Sequence, residues 1–146
     1  MSRFRHLLTL FAFFVAVLFT SREALAVTFV GGNITANTTW TAANSPYEVT
    51  SDVVVYNQAR LTVEAGVTVN FNTGTGLVIG YYAYGQGQVN SIERGALTVN
   101  GTAGAPVLFT AKSGAAGGWK GLSFGDATDF GGLASSLNYL TVEKAG

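Results

Sequence analysis

The stretch ARLTVEAGVTVNF (residues 59–71) alternates apolar side chains with polar or small ones on both sides of a glycine. Side chains two residues apart along a strand point to the same face. The alternation therefore predicts two short strands joined by a turn near Gly66, with one apolar face each. The residues predicted to share the apolar face are Leu61, Val63, Val67, Val69 and Phe71.

A second stretch, GALTVNGTAGAPVLF (95–109), repeats the first with two additional residues at its turn. The repeat aligns 61–63 with 97–99, both Leu-Thr-Val, and aligns Phe71 with Phe109. Repeated strand–turn–strand units without a helix predict that equivalent strands of successive repeats stack on one another. A meander of hairpins would show two-residue Asn-Gly or Asp-Gly turns, but Asn100-Gly101 lies inside a longer turn. We therefore expect parallel coils that turn their corners at Gly or Asn, which tolerate positive φ.

Further short alternating runs cover the chain after residue 46, and none has helical periodicity. Segment 47–146 is predicted to consist of parallel β-helix coils, and at roughly 20 to 30 residues per coil the mature chain has room for about four or five. Segment 27–46 is less regular and rich in Asn and Thr, and it is predicted to be an N-terminal cap packed around Trp40. The runs are YEVTSDVVVY (47–56), GLVIGYY (76–82), PVLFTA (106–111), WKGLSF (119–124) and LNYLTV (137–142).

The first 26 residues have the order of a secretory signal peptide. Arg3, Arg5 and His6 precede an apolar run at 7–20, and Ala24-Leu25-Ala26 is a small-x-small cleavage site. The apolar run is shorter than the about 20 residues that a membrane-spanning helix needs. The sequence therefore predicts export to the periplasm, the cell surface or the medium, with no membrane span after cleavage. The alternative is an uncleaved N-terminal anchor helix.

The mature chain from Val27 keeps five basic and seven acidic residues, a net charge of −2. Nucleic-acid binding has no support, because it needs a basic patch or stripe. The chain has no Cys, and its single histidine, His6, leaves with the leader. Most metal sites, thiol catalysis and histidine acid–base catalysis are therefore excluded from the mature chain, and no catalytic set is predicted.

Residues 33–146 resemble the secreted right-handed parallel β-helix proteins of bacteria, the pectate-lyase-like solenoids. The resemblance rests on LTVEAGVTVNF (61–71), GALTVNGT (95–102), PVLFTA (106–111) and WKGLSF (119–124). It implies an all-β, right-handed parallel β-helix. It implies little about activity, because this fold hosts polysaccharide lyases, hydrolases and adhesins. Such proteins usually have more coils and a C-terminal cap, so the resemblance predicts either missing coils or a self-association surface at the open C-terminal coil.

Aromatic residues supply the candidate ligand site. Tyr82 and Tyr84 in GYYAYGQGQ (80–88) are predicted to point to one side of a loop, where their rings could stack on sugars and the Gln86 amide could bind hydroxyls. The alternative is that the tyrosines cover the coil wall, as half-buried Tyr does elsewhere. Trp119 in GGWKG is a second candidate platform, with packing at a coil corner as the alternative.

Acidic residues supply the candidate metal site. Asp126 and Asp129 in GDATDFGG could give two of the oxygen ligands that Ca²⁺ requires, although the spacing is not that of an EF-hand loop. The alternative is Asx-turn chemistry at a solvated corner. No other cofactor is predicted, and no spacing gathers Arg60, Arg94 and the neighbouring glutamates into a catalytic pair.

The sequence thus predicts an exported β-helix scaffold or surface module that binds a polysaccharide or cell-surface glycan through its loops. Two alternatives remain open at this point. One is the N-terminal part of a carbohydrate-active enzyme whose catalytic coils lie beyond Gly146. The other is a passenger or adhesin segment of a larger cell-surface protein.

Overall fold

A computed structural model of the chain describes residues 26–80, 91–125 and 133–146, which coil into a parallel β-helix. Two short 3-10 turns lie at Ala42–Asn44 and Ser91–Glu93. The described strands are β1 (Thr28–Ile34), β2 (Thr38–Trp40), β3 (Tyr47–Val55), β4 (Ala59–Val63), β5 (Thr68–Phe71), β6 (Gly76–Ile79), β7 (Gly95–Asn100), β8 (Val107–Ala111), β9 (Gly121–Phe124), β10 (Ser136–Asn138) and β11 (Leu140–Val142).

These strands form two sheets in which every strand pair is parallel, as the absence of hairpin turns predicted. In the described part of the chain, the first sheet has seven strands in the order β11-β8-β5-β3-β6-β9, with β1 added on β3. The second sheet has the order β10-β7-β4-β2. Each coil thus adds one level to both sheets. The first coil contains β1 and β2, the second β3 and β4, the third β5 to β7 and the fourth β8 to β10, and β11 starts the fifth.

The first sheet bends along its length. Strand β3 is long, and its first half pairs with β5 while its second half pairs with β6. The next coil repeats the bend, with β8 on β5 and β9 on β6. The turns at 72–75 and 112–120 therefore stack above the middle of β3.

The sequence repeat aligns in space over its first strand but not over its second. Leu61 pairs with Leu97 and Val63 with Val99, as predicted. Phe109, however, lies opposite Val69 and not opposite Phe71, which pairs with Ala111. The predicted alignment of the two phenylalanines was wrong, because turn 101–106 absorbs four additional residues and not two. Their rings still meet edge to face across the core, with centroids 5.7 Å apart.

Apolar side chains of like position stack from coil to coil in the interior. Leu61 lies on Leu97, Val55 on Ile79, and Tyr47 on Val69. All of these side chains are buried, so one continuous core runs along the axis of the solenoid. This stacking is why the alternation in 59–71 decides the fold: a single coil can bury its inward face only against its neighbours.

Segment 27–46 contributes β1 and β2, which extend the two sheets by one level. Trp40 is buried at 3% exposure and stacks on Tyr47 with ring centroids 5.2 Å apart. The Tyr47 hydroxyl in turn accepts a hydrogen bond from the Thr41 amide at 2.7 Å. Trp40 therefore joins the first coil to the second, in the packing role that the sequence predicted.

The far end of the described solenoid is less covered. Leu137 pairs with Val99, and Val142 pairs with Phe109, so both continue rows of inward-facing side chains. Their exposed fractions are nevertheless 44% and 43%. Among the residues with described placement, no helix is long and apolar enough to span a membrane.

Candidate functional site

The two longest connections between the described strands start at one corner of the solenoid. In the first two coils this corner is turned by the short segments 35–37 and 56–58. In the next two coils it is turned by 80–94 and 125–135. Ile79 pairs with Phe124, so the two long connections start at neighbouring points on adjacent coils. Thr98 pairs with Ser136, so they also return side by side. We call this place the loop corner.

Backbone hydrogen bonds hold both ends of the first long connection on the coil below. The Gly80 amide donates to the Val55 carbonyl at 2.8 Å. The amides of Asn57 and Gln58 donate to the carbonyls of Ile92 and Arg94 at 2.6 and 2.7 Å. Asn57 and Gln58 adopt positive φ of 60° and 61°, which turns their amides toward the next coil. The scaffold therefore fixes the take-off and landing points of residues 81–90.

The second long connection starts beside the start of the first, one coil further along. The Gly125 amide donates to the Ile79 carbonyl at 2.8 Å. On the landing side, the Leu97 amide donates to the Ser135 hydroxyl at 3.0 Å. Arg60 also donates from Nη1 to the Ala134 carbonyl at 3.0 Å and to the Thr98 hydroxyl. Arg60 thus ties three coils together at the edge of the loop corner.

Most of the residues predicted to bind ligands belong to these connections. Tyr82, Tyr84 and Gln86 lie in 81–90, and Asp126 and Asp129 lie in 126–132, outside the residues that the structure describes. Both predicted sets therefore fall within the two connections whose described ends lie at the loop corner. The sequence alone treated them as unrelated, because only the pairing of β6 with β9 brings their connections together.

Trp119 lies in the core, where it cannot serve as a ligand platform. Its side chain is 1% exposed, and its ring stacks on Phe71 at a centroid distance of 4.0 Å. The indole Nε1 donates to the Glu143 carbonyl at 2.9 Å. Trp119 therefore fills the interior of the fourth coil and holds the start of the fifth, so packing accounts for its position between glycines.

Two of the charged residues that a sugar-cleaving site would need, Arg60 and Glu64, bond to structural partners in the coil. Arg60 bonds Thr98 and Ala134 as described above, whereas the Glu64 carboxylate accepts from the Ala42 amide at 2.9 Å. Glu93 is buried at 4% exposure. The Nε of Arg94 is buried and has no hydrogen-bond partner among the described residues. Arg60 lies in β4 and Glu64 directly after it, whereas Glu93 and Arg94 are consecutive residues at the end of connection 80–94.

Two ion pairs on the outer face of the first sheet were not foreseen from sequence. Lys112 Nζ lies 2.6 Å from the Glu48 carboxylate, and Lys120 Nζ lies 2.6 Å from that of Asp52. Each pair reaches across an intervening strand, β5 in the first case and β6 in the second. Asp52 also accepts from the Gly76 amide of the intervening coil at 2.9 Å. Nothing in the sequence signals these pairs, because the partners are neighbours only through the coil register.

Two carboxyl groups on this face are held in the charged form. The hydrogen bond from Lys112, aided by Asn72, lowers the pKa of Glu48 below its ordinary value of 4.5, although burial opposes the shift. Hydrogen bonds from Thr110 and Lys144 likewise lower the pKa of Glu143. A general acid for glycoside cleavage needs a raised pKa. The electrostatics of these two groups therefore suit ion pairing.

A protein-family model for a pectate-lyase-like β-helix domain matches residues 32–136, most of the chain. This chain belongs to the pectate-lyase-like β-helix domain family. No curated protein and no solved structure gave a significant match. The family assignment agrees with the parallel pairing of every strand in the two sheets.

The matched range of the pectate-lyase-like domain includes both long connections of the loop corner and runs into β10. The described residues of this domain contain no group of three or more Asp, Glu, His or Cys side chains that could hold a metal ion. Asp126 and Asp129 lie outside the described residues, so the calcium site stays a prediction.

Proposed function

We propose that this pectate-lyase-like β-helix domain is an exported scaffold that binds a polysaccharide or cell-surface glycan at the loop corner. One observation carries the proposal: the two long connections leave adjacent coils at the same corner, where the earlier coils have short turns. In solenoid proteins, insertions that accumulate on one face of the repeats commonly form the binding face. Long connections in compact domains are otherwise uncommon and tend to be functional.

The composition of the two connections supports a glycan as the ligand. Residues 80–88, GYYAYGQGQ, combine tyrosine rings with glutamine amides and carry no charge. An aromatic ring offers an apolar face for a sugar ring, and amides donate to and accept from hydroxyls. Asp126 and Asp129 add acceptors from the next coil, whether they bind sugar hydroxyls directly or through Ca²⁺.

The outer face of the first sheet supports a scaffold over an enzyme. Its lysines and carboxylates are engaged with one another across coils, and the pKa values of Glu48 and Glu143 are lowered. Such pairs stabilise the stack of coils and leave these groups poorly suited to acid catalysis. A role as the N-terminal part of a larger enzyme or adhesin would add activities to the scaffold and would not replace it.

The test is binding of the exported protein to a panel of soluble neutral and acidic polysaccharides, by affinity electrophoresis and calorimetry. We expect binding to at least one, weakened at least about tenfold, or about 1.4 kcal/mol, by the double substitution Tyr82→Ala and Tyr84→Ala. Tyr139→Ala is the matched control, because Tyr139 is 62% exposed but lies outside the loop corner.

Two results would contradict the proposal. One is the absence of binding to every polysaccharide of the panel. The other is binding that the tyrosine pair does not affect. The same mixtures test the enzyme alternative, since chain cleavage would lower the viscosity of the polysaccharide and release new reducing ends.

A further inference from the structure

The first coil leaves an edge of each sheet open. Strand β1 pairs with β3 on one side, and β2 pairs with β4 on one side. Within the described ranges no strand pairs with the opposite edge of either one, whereas β3 and β4 are flanked on both sides. The backbone groups on an open edge are ready to pair with another strand.

The interior of the solenoid opens at the same end. A cavity of about 520 Å³ is lined by residues of β1 and β2, with Val53 of the next coil among them. Val30 and Ile34, which stack on Val49 and Val55, are only partly covered and face this opening. The walls combine apolar side chains with the hydroxyl residues Thr38, Thr50 and Ser51, and no charged side chain lines the cavity.

Exposed apolar side chains lie at the rim of the cavity and next to it, and Phe29 is among the lining residues. Phe29 is 66% exposed and Val27 is 42% exposed. Phe29 lies on the outward parity of β1, opposite Glu48, and so makes no contribution to the buried interior. Burying such a ring against a partner would add hydrophobic stabilisation roughly in proportion to the area removed from water.

The devices that commonly protect an edge strand are missing from β1. It contains no Lys, no Pro and no charged residue of any kind. The irregularity in its pairing places the extra residues on β3, because Val30 to Gly32 oppose Val49 to Val53, so β1 itself is not bulged. An uncharged edge strand beside an exposed phenylalanine favours strand addition.

The distribution of charge indicates which partner fits. A two-fold contact places each surface against a second copy of itself, so any charge on it meets its own kind. The whole segment 27–46 lacks Asp, Glu, Lys, Arg and His, so two such ends meet without like-charge repulsion. At the opposite end of the solenoid, Glu143 and Lys144 border β11 and are partly exposed.

We propose that two copies of this chain associate through their first coils, with β1 of one copy pairing antiparallel to β1 of the other. The pairing satisfies the open β1 edge of each copy and covers Phe29 and the mouth of each solenoid. The contact involves the first coil, whereas the long connections start on the third and fourth coils, so this proposal stands or falls independently of glycan binding.

The test is the mass of the exported protein by sedimentation velocity and light scattering over a wide concentration range. We expect twice the mass of a single mature chain, decreasing on dilution. Phe29→Lys should raise the dissociation constant at least about tenfold, because it places an unpaired charge in the contact. Thr73→Lys adds the same charge at an exposed turn and should have no effect. Equal unfolding midpoints of the two dilute variants would show that both fold.

Several outcomes would overturn the proposal. The first is a single-chain mass at every concentration, including the case in which the exported protein retains residues 1–26 and these cover the mouth. The second is a dimer that Phe29→Lys does not weaken. The third is an assembly that dissociates with Val142→Lys, since this would place the contact at the C-terminal end.

Discussion

At the scale of single residues, the fold depends on positions where the coils approach most closely. Trp119 is the largest fully buried side chain among the described residues, and it links Phe71 of the third coil to Glu143 of the fifth. Gly95 lies under the carbonyl of Val55, where a Cβ would come within 2.0 Å of the oxygen. At Trp119 a substitution can remove a buried ring, whereas at Gly95 a substitution adds a side chain for which there is no space.

We expect Trp119→Ala to lower the free energy of unfolding by about 3–5 kcal/mol, because it removes a buried aromatic ring and leaves a cavity. Trp119→Phe should cost less, since it keeps most of the packing and loses the hydrogen bond to the Glu143 carbonyl. Denaturant unfolding of the three proteins measures both effects. A loss below about 1 kcal/mol for Trp119→Ala would contradict the packing role.

We expect Gly95→Ala to destabilise the protein by about 1–3 kcal/mol through overpacking. The Val55 carbonyl cannot move aside easily, because it accepts the Gly80 amide at 2.8 Å. Gly104→Ala is the matched control, since a Cβ there meets nothing within 4 Å. Thermal unfolding of both variants distinguishes them, and equal midpoints would count against the steric argument.

At the scale of elements, the first sheet is stabilised by contacts that skip a strand. Lys112 follows β8 and reaches over β5 to Glu48 on β3, and Lys120 precedes β9 and reaches over β6 to Asp52. A Cβ at Gly76 would come within 3.0 Å of the Lys120 Cβ, so this lysine lies directly over the intervening coil. The ion pairs therefore couple coils that are not nearest neighbours.

This coupling should depend on pH. The folded-state pKa of Glu48 is below the ordinary 4.5, so its ion pair stabilises the fold above that value and is lost as the pH falls through the lowered pKa. A double-mutant cycle of Glu48→Gln and Lys112→Met measures the coupling free energy at a series of pH values. We expect a favourable coupling at neutral pH that disappears in acid. A coupling that persists in acid would show that the pair acts through packing.

At the scale of the whole molecule, stability is a sum of contacts between adjacent coils. Strands β4 and β7 have neighbours on both sides, whereas β10 and β11 are each paired on one side among the described strands. Fraying should therefore start at the ends of the solenoid and reach the middle coils last.

We expect hydrogen exchange to show slow exchange in β4, β5 and β7 and faster exchange in β10 and β11. In the monomeric Phe29→Lys variant, β1 should also exchange quickly, whereas in the unmodified protein the proposed dimer contact should protect it. Mass spectrometry of peptides from the native protein measures these rates. Uniform protection along the chain would mean that the coils unfold as one cooperative unit.

The sequence by itself determined the class of fold and the rows of inward residues. Alternation in 59–71 and its repeat in 95–109 is local information, and the alignment of Leu61 with Leu97 follows directly from it. The buried set from Val49 to Phe109 follows from the same parity, because a strand that buries one face must carry apolar side chains at every second position.

The tertiary structure alone decided what the register brings together. It moved Phe109 opposite Val69, paired Lys112 with Glu48, buried Trp119, and placed the take-off points of 80–94 and 125–135 side by side. The physical reason is that turn lengths differ from coil to coil. A stack of parallel strands aligns by hydrogen bonding and core packing, so residues far apart in sequence become neighbours by an offset that no local pattern encodes.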